Sequence, residues 1–537
     1  MPSESGHGGA SAHRPAKGEI MAGITILSRA RRQVLAVVLG VAASAIVVPI
    51  SRAQISPQAY SVVASQMMPG LGPTGLITLP GQNGAQRAMS GSINNVCPTI
   101  TNIAMPKDPP TSGQIDLAQI CQVMTFNALQ VQGQPNPLPL PQTSFGLNAS
   151  QLNGALQQLN GGAELLVPTS QASVVQTTQT SRQTGAIEKR LNEMRNWTTG
   201  TVVAGTESPQ TVQVAALSPL EPGGQGLIAQ NQAPPFAYSI GPFGVFVTGF
   251  GQFGSRDLTT TENGYSFNNG GFVAGADYRF MPQLVAGLAF GYSHSSTNFD
   301  TSAVSPAGQS LNGNLLQGNL YATYSLTDAW YVNAIGLIGG GGNDSWRNID
   351  FGTNGSDAGV TNIAIDRVAT GSFGSRVAGV TLASGYDLPF GPLILTPIAR
   401  FLYQHTRVNA FTEEGALGAD LQYGSSSVNT ALSFLGADAQ YIVNTSFGPL
   451  YPIARVHWAH QYNPGNTAVS VAYSNDPSLL SSFILPGTPT SRNYVDLGVG
   501  VTLPLSGTSS AYINYDSILG INHTTYNSFT AGIRLTF

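Results

Sequence analysis

The sequence predicts an all-β chain whose residues 242–537 close into a transmembrane β-barrel of about twelve antiparallel strands, preceded by a short helical and irregular N-terminal region. Three observations carry this. The last residues alternate strictly: Phe529, Ala531, Ile533, Leu535 and Phe537 are apolar, while Thr530, Gly532, Arg534 and Thr536 are polar or small. Side chains of a strand alternate between faces, so this segment has one apolar and one wet face. Residues 243–537 contain no Lys, although a soluble β-sandwich exposes charge, Lys above all. Connections alternate between tight turns and long polar loops, as in a barrel with one periplasmic and one extracellular rim.

From the N-terminus, Arg29, Arg31 and Arg32 precede an uncharged apolar run from Val34 to Val48, then Ser51-Arg52-Ala53. This reads as a signal peptide over residues 1–53, cut after Ala53, with an overlong start at 1–20 and Met21 as initiator. The run is short for a membrane span, which needs about 20 residues. Elsewhere no apolar stretch is long enough for a helical span, so export beyond the inner membrane is expected, with the Sec machinery as partner. Charged residues make up 9% of the chain, far below the usual quarter, and the net charge is -4. Neither value favours a nucleic-acid partner.

Residues 54–148 are rich in Pro, Gly, Asn and Gln and read as an irregular passenger region. One helix is expected over 114–130, with Leu117, Ile120 and Met124 on a stripe. Cys97 and Cys121 are the two cysteines. An even count in an oxidising compartment points to one disulfide, with two unpaired thiols as the alternative. Residues 149–197 read as helical. Ser150 is positioned to cap a helix carrying Leu152, Leu156 and Leu159, and Gln171 to Trp197 reads as a second helix. Residues 198–241 are a Pro/Gly-rich linker.

Twelve strands are expected near 243–254, 270–280, 284–295, 313–326, 329–342, 371–388, 392–406, 428–444, 449–462, 491–504, 508–516 and 527–537, with long loops at 296–312, 343–370, 407–427 and 463–490. Asp277, Arg279, Arg400, Asp438, Arg455, Asp496, Asp516 and Arg534 fall on the wet parity and are assigned to the lumen. An Arg or Lys on the lipid face costs about 2–4 kcal/mol at midplane.

The run Phe243-Gly244-Val245-Phe246-Val247-Thr248-Gly249-Phe250-Gly251-Gln252-Phe253-Gly254-Ser255-Arg256-Asp257 resembles the opening strand and loop of the autotransporter family of type V secretion. Gly270-Gly271-Phe272-Val273-Ala274-Gly275-Ala276-Asp277-Tyr278-Arg279 is similar to that family's second strand, and Ala531 to Phe537 to its closing strand. Gly154-Ala155-Leu156-Gln157-Gln158-Leu159-Asn160-Gly161-Gly162 resembles its A-L-x-Q-L-S-G-E element, with Asn160 and Gly162 departing from it. The resemblance implies an outer-membrane translocator that displays or exports its own N-terminal passenger. It further implies Phe529, Ile533, Leu535 and Phe537 as a signal to the barrel-assembly machinery, and a pore plug. The plug is helix 171–197 or residues around 225–241, with a packed passenger helix as the alternative for 171–197. A second reading is an outer-membrane barrel with a structural or adhesive role through its long loops; any host or surface ligand is unspecified.

Enzymatic chemistry is not expected, and no cofactor or metal is. Residues 54–242 contain no His, so neither a Ser-His-Asp nor a Cys-His mechanism has its base there. His457 and His460 lie three apart, on opposite faces of a strand, and so cannot chelate one metal. The pairs Asn94-Asn95 and Asn268-Asn269 read as turns.

Overall fold

The computed structural model describes residues 76–103, 110–134, 142–161 and 242–537, apart from short segments at 260–262, 303–305, 358, 447, 464–467, 477–480, 487–490 and 507. The expected signal peptide at 1–53, the expected helix 171–197 and the expected linker 198–241 fall outside the described residues.

Twelve long strands form the wall: β1 (Phe243–Arg256), β2 (Tyr265–Met281), β3 (Leu284–Phe299), β4 (Ser310–Ser325), β5 (Trp330–Asp357), β6 (Val360–Tyr386), β7 (Leu393–Val408), β8 (Ser426–Tyr441), β9 (Gly448–Gln461), β10 (Asn493–Ser506), β11 (Ser509–Leu519) and β12 (Thr524–Thr536). Each pairs antiparallel with its neighbour in sequence, and β12 returns to β1, so the wall closes and leaves no free edge through its height. Lipid offers no hydrogen-bond partner to a backbone, and closure satisfies every rung internally. The wall sorts its side chains by parity. Leu288, Leu320, Ile338, Val499 and Ile533 are exposed on the outside, whereas Thr248, Ser293, Gln317, Asn333, Gln404 and Ser528 are buried on the inside.

The inside is not uniformly polar. Phe246, Phe250, Val273, Val285, Tyr321 and Ile335 form one buried inward cluster, and Leu315, Leu337 and Val377 another. On the outside, two arginines depart from the expected sorting: Arg376 and Arg407 sit exposed on outward positions of β6 and β7.

The expected loop at 343–370 is instead hairpin. β5 and β6 stay paired far beyond the wall, from Trp330↔Tyr386 up to Asp357↔Val360, with one irregularity near Gly352. Alternation persists there, but the polar outward residues disguise it as loop. The loops 407–427 and 463–490 contribute a small four-stranded sheet from Phe411–Thr412, Leu421–Tyr423, Ala468–Tyr473 and Phe483–Pro486.

Among the described residues, three α-helices precede the barrel: α1 (Gly84–Ile103), α2 (Ser112–Val131) and α3 (Ala149–Leu159). α1 lies in the region expected to be irregular. Gly91, Pro98 and several Ser and Asn residues are poor helix formers. Burial of Ala85, Met89, Ile93, Val96 and Ile100, which recur at three- and four-residue steps, overrides that propensity. α2 opens on a capping box: the Gln114 N–H donates to Thr111 Oγ1 (3.2 Å), and the Thr111 N–H donates to Gln114 Oε1 (2.9 Å). α3 begins earlier than a Ser150 cap allows. Asn148 is the cap, and the reciprocal pair is Asn148 with Gln151, both bonds being 3.0 Å.

Candidate functional site: the barrel interior and the capped mouth

The tight turns, such as those after Met281, Ser325 and Tyr386, lie at one end of the barrel. The β1 start lies there too: the Arg279 N–H donates to the Pro242 carbonyl (2.7 Å), and Phe243 stacks near Phe537. The three helices lie at the other end, among the long loops. There they build a crown with the upper hairpin of β5 and β6 and the small sheet. One core runs through Met89, Ile93, Leu117, Met124, Leu152 and Leu156 of the helices, Tyr265, Phe299, Leu311 and Val408 at the strand tops, and Ile349, Phe351, Ile365 and Phe373 of the hairpin. Together with the β5–β6 hairpin, these strand tops on β2, β3, β4 and β7 share one core with the helices, which pack over that side of the mouth.

Two arginines, one buried and one half-buried, fasten helices to loops. Arg347 is fully buried with Glu413 as its ion-pair partner; its Nε donates to Glu413 Oε1 (3.0 Å). The same guanidinium donates to the Gln158 carbonyl at the end of α3 (2.9 Å) and to the Ala419 carbonyl (2.9 Å). Glu413 also accepts from the Leu421 N–H (3.0 Å) and the Tyr423 hydroxyl (3.3 Å). Arg367 forks onto Asp116 of α2, its Nη2 donating to Oδ1 at 2.7 Å, and its Nη1 donates to the Ala416 carbonyl (3.0 Å). Asp116 Oδ2 accepts the Gly418 N–H as well (2.9 Å). A fork-to-carboxylate geometry of this kind is the strong form of the ion pair.

The helices also cap backbone that the hairpin would otherwise leave open. Gln142–Ser144 runs parallel to Val360–Asn362 on the β6 edge. On the β5 side, the Thr353 N–H donates to the Phe145 carbonyl (3.0 Å), and the Asp350 N–H to Gln158 Oε1 (2.8 Å). Phe145 meets Phe351 edge-on at 5.0 Å. A free hairpin edge is a template for unwanted pairing, and here it is covered.

Cys97 and Cys121 are joined, Cα to Cα 5.4 Å, tying α1 to α2. The eight charges assigned to the lumen occupy inward positions. Asp277 is buried and accepts from the Tyr321 hydroxyl (3.2 Å). Arg279 lies two residues further toward the turns on the same face. The Arg400 guanidinium lies 3.8 Å above the Phe434 ring. Arg455 and Asp516 form an ion pair, and Asp438 meets His457 Nε2 at 2.8 Å. Asp496 is the register partner of His457, and Arg534 is 4% exposed. Phe529, Ile533, Leu535 and Phe537 face outward, all more than two-fifths exposed, with Phe529 stacked near Phe253. His457 and His460 separate as the parity requires, His460 bonding Asn493 (2.8 Å). Sequence reasoning missed Asp116, Arg347, Arg367 and Glu413. Their scarcity was the available signal, since a chain with 9% charge seldom spends four ionised groups in one place without use.

The family described as Autotransporter beta-domain matches residues 245–516, half of the chain. An extracellular serine protease of Serratia marcescens is 22% identical over 294 residues, 53% of this chain and 25% of that protein, so the chain spans a quarter of that relative's length. Among solved structures, the translocator domain of autotransporter NalP from Neisseria meningitidis is 13% identical with a TM-score of 0.42, covering 55% of this chain and 89% of that one. The beta domain of the Bordetella autotransporter BrkA is 16% identical with a TM-score of 0.38, covering 55% of this chain and 100% of that one. With the match spanning half the sequence and falling on the closed twelve-stranded wall, the chain belongs to the autotransporter family and is a translocator of the bacterial outer membrane.

Proposed function

We propose that this translocator carries residues upstream of 162 to the cell surface and keeps them there as a folded crown, instead of releasing them. The observation that carries this reading is the shared core and the two arginine anchors, Arg347 to Gln158 and Arg367 to Asp116. Among the described residues the crown's helices share one core with the loops and hairpin, so these helices complete their packing against the extracellular loops. Its last described residue, Gly161, lies at the loop end, while β1 begins at the turn end. The chain between them must pass from one end to the other. Hydrocarbon gives a backbone no partner, so the lumen is the available route.

Family membership supports export through the Sec machinery and insertion by the barrel-assembly machinery, and we assign Phe529, Ile533, Leu535 and Phe537 as the insertion signal. The inward charges stiffen the wall around the passage. We read the passenger as non-enzymatic: the serine protease relative shares only a quarter of its length, and residues 54–242 bring no His.

Single cysteines introduced at Ser112, Ser356 and Gly391 test the reading in intact cells with a membrane-impermeant maleimide. Ser112 and Ser356 positions are expected to label and Gly391 to stay silent, with all labelled protein cell-associated. Labelling at Gly391 alone, or recovery of the Ser112 position in the medium, overturns it.

A further inference from the structure

Arg376 and Arg407 are direct register partners on the outer face of the wall, both exposed. Among the described residues, neither has an ion-pair or hydrogen-bond partner. Like charges directly opposite on adjacent strands destabilise a sheet unless something neutralises them.

Their height says what neutralises them. Arg376 stands ten positions above the Trp330↔Tyr386 rung, where exposed aromatics mark the turn-side interface. At about 3.3 Å per residue and a tilt of about 40°, that is about 25 Å, the height of a barrel's apolar band. The pair therefore lies at the opposite headgroup layer, where an outward arginine is tolerated far better than at the midplane. The wall beside it is bare. Gly340, the β5 register partner of Arg376, and Gly342 and Gly374 all lie on outward positions. A Cβ on Gly342 would meet nothing within 4 Å.

Below the pair on the same strands runs an outer groove of about 320 Å³, lined by Val332, Leu382, Ser384, Ala399, Phe401 and Leu435. Leu382 and Phe401 are register partners six residues below the arginines, about 15 Å down into the hydrocarbon by the same geometry. Small Ser384 and Ala399 form its floor between larger neighbours.

We propose that Arg376 and Arg407 bind the phosphate of an outer-leaflet lipid, with an acyl chain of that lipid lying in the groove beneath. Two planar guanidinium forks suit one phosphate, which accepts from both and relieves their repulsion. The proposal rests on the surface orientation given above, since that places the arginine rim in the outer leaflet.

The test uses the full chain in phosphatidylcholine vesicles containing a minor share of phosphatidic acid, then gentle detergent extraction and native mass spectrometry of retained lipid. Wild type is expected to retain phosphatidic acid about tenfold above its share, as two charge-assisted contacts allow. Arg376→Gln with Arg407→Gln is expected to lose that preference, with heat-modifiable mobility confirming an intact barrel. Ala399→Trp is expected to weaken retention of long-chain but not short-chain phosphatidic acid. Unchanged preference in the double variant overturns the proposal. So does full displacement of the lipid by inorganic phosphate, which would mark a simple anion patch. Failure of the orientation itself reads differently: the maleimide pattern inverts while lipid preference persists.

Discussion

The β5–β6 hairpin is built twice over, once for lipid and once for water. Through the wall it turns Val332, Ile338 and Leu382 outward and Asn333, Ser375 and Thr381 inward. From the Asn343↔Phe373 rung upward the same two strands turn Ile349, Phe351, Ile365 and Phe373 inward and Asp344, Asp350 and Asp366 outward. The backbone ladder runs on across the change, so hydrogen bonding does not distinguish the regions. What changes is the solvent outside. Where hydrocarbon surrounds the strand, apolar groups face out; where water does, they turn in and need a partner, which α1, α2 and α3 supply.

The anchors give the sharpest way to break the two regions apart. Arg347→Ala leaves Glu413 buried and uncompensated, a loss of about 3–5 kcal/mol for a buried pair. The whole cost falls on the crown. In outer-membrane preparations, limited proteolysis is expected to cut the 84–161 segment of the variant while the barrel keeps its heat-modifiable mobility. Joint loss of both would show one cooperative unit and erase the distinction.

The wall is tested by the opposite insult. Leu382→Arg puts a charge on the lipid face well below the headgroups, at a cost of about 2–4 kcal/mol. Denaturant unfolding in vesicles is expected to shift its midpoint downward, whereas Ser372→Arg, an outward position above the wall, is expected to leave it unchanged. Equal shifts would mean that the inversion of polarity along the hairpin has been misplaced.

The two regions also differ in how much of them the sequence made legible. All twelve wall strands could be read because period-two alternation needs no knowledge of partners: lipid is on one side everywhere, as in Phe529 to Phe537 or Leu284 to Tyr292. The lumenal placement of Asp277, Arg455, Asp516 and Arg534 follows from the same parity. In the crown, the apolar stripes of α2 and α3 could be read, but the rest was opaque for a matching reason. Its upper hairpin presents Asp and Asn outward, so residues 343–370 resemble loop. α1 holds together through contacts remote in sequence, such as Tyr473 on Met89, which no local pattern announces. Arg347 and Arg367 gain meaning only when Gln158 and Asp116 arrive some two hundred residues away in the chain. Arg376 and Arg407 sit on apolar parity, and only the barrel's height turns that apparent violation into an interface position.

The smallest expected effect concerns pH and again separates crown from wall. Asp420 lies in the loop that grips α2, 7% exposed, with its Oδ1 accepting the Ala416 N–H at 2.7 Å. Burial pushes its carboxyl from the ordinary 3.8 up to about 7, and the charge of Glu413 adds to the rise; the Ala416 bond and the charges of Arg347 and Arg367 pull the other way. The folded crown thus holds this proton more tightly than the unfolded chain does. The stability Asp420 contributes is complete below 3.8, declines as pH rises, and is gone once pH passes about 7. Crown proteolysis is therefore expected to be faster at pH 8 than at pH 6 in the wild type. Asp420→Asn cannot ionise and keeps an oxygen for the Ala416 N–H, so its rates at the two pH values should converge, leaving barrel mobility untouched in both proteins. A pH dependence that survives in Asp420→Asn would assign it to other groups and remove Asp420 from the account of how the crown is held.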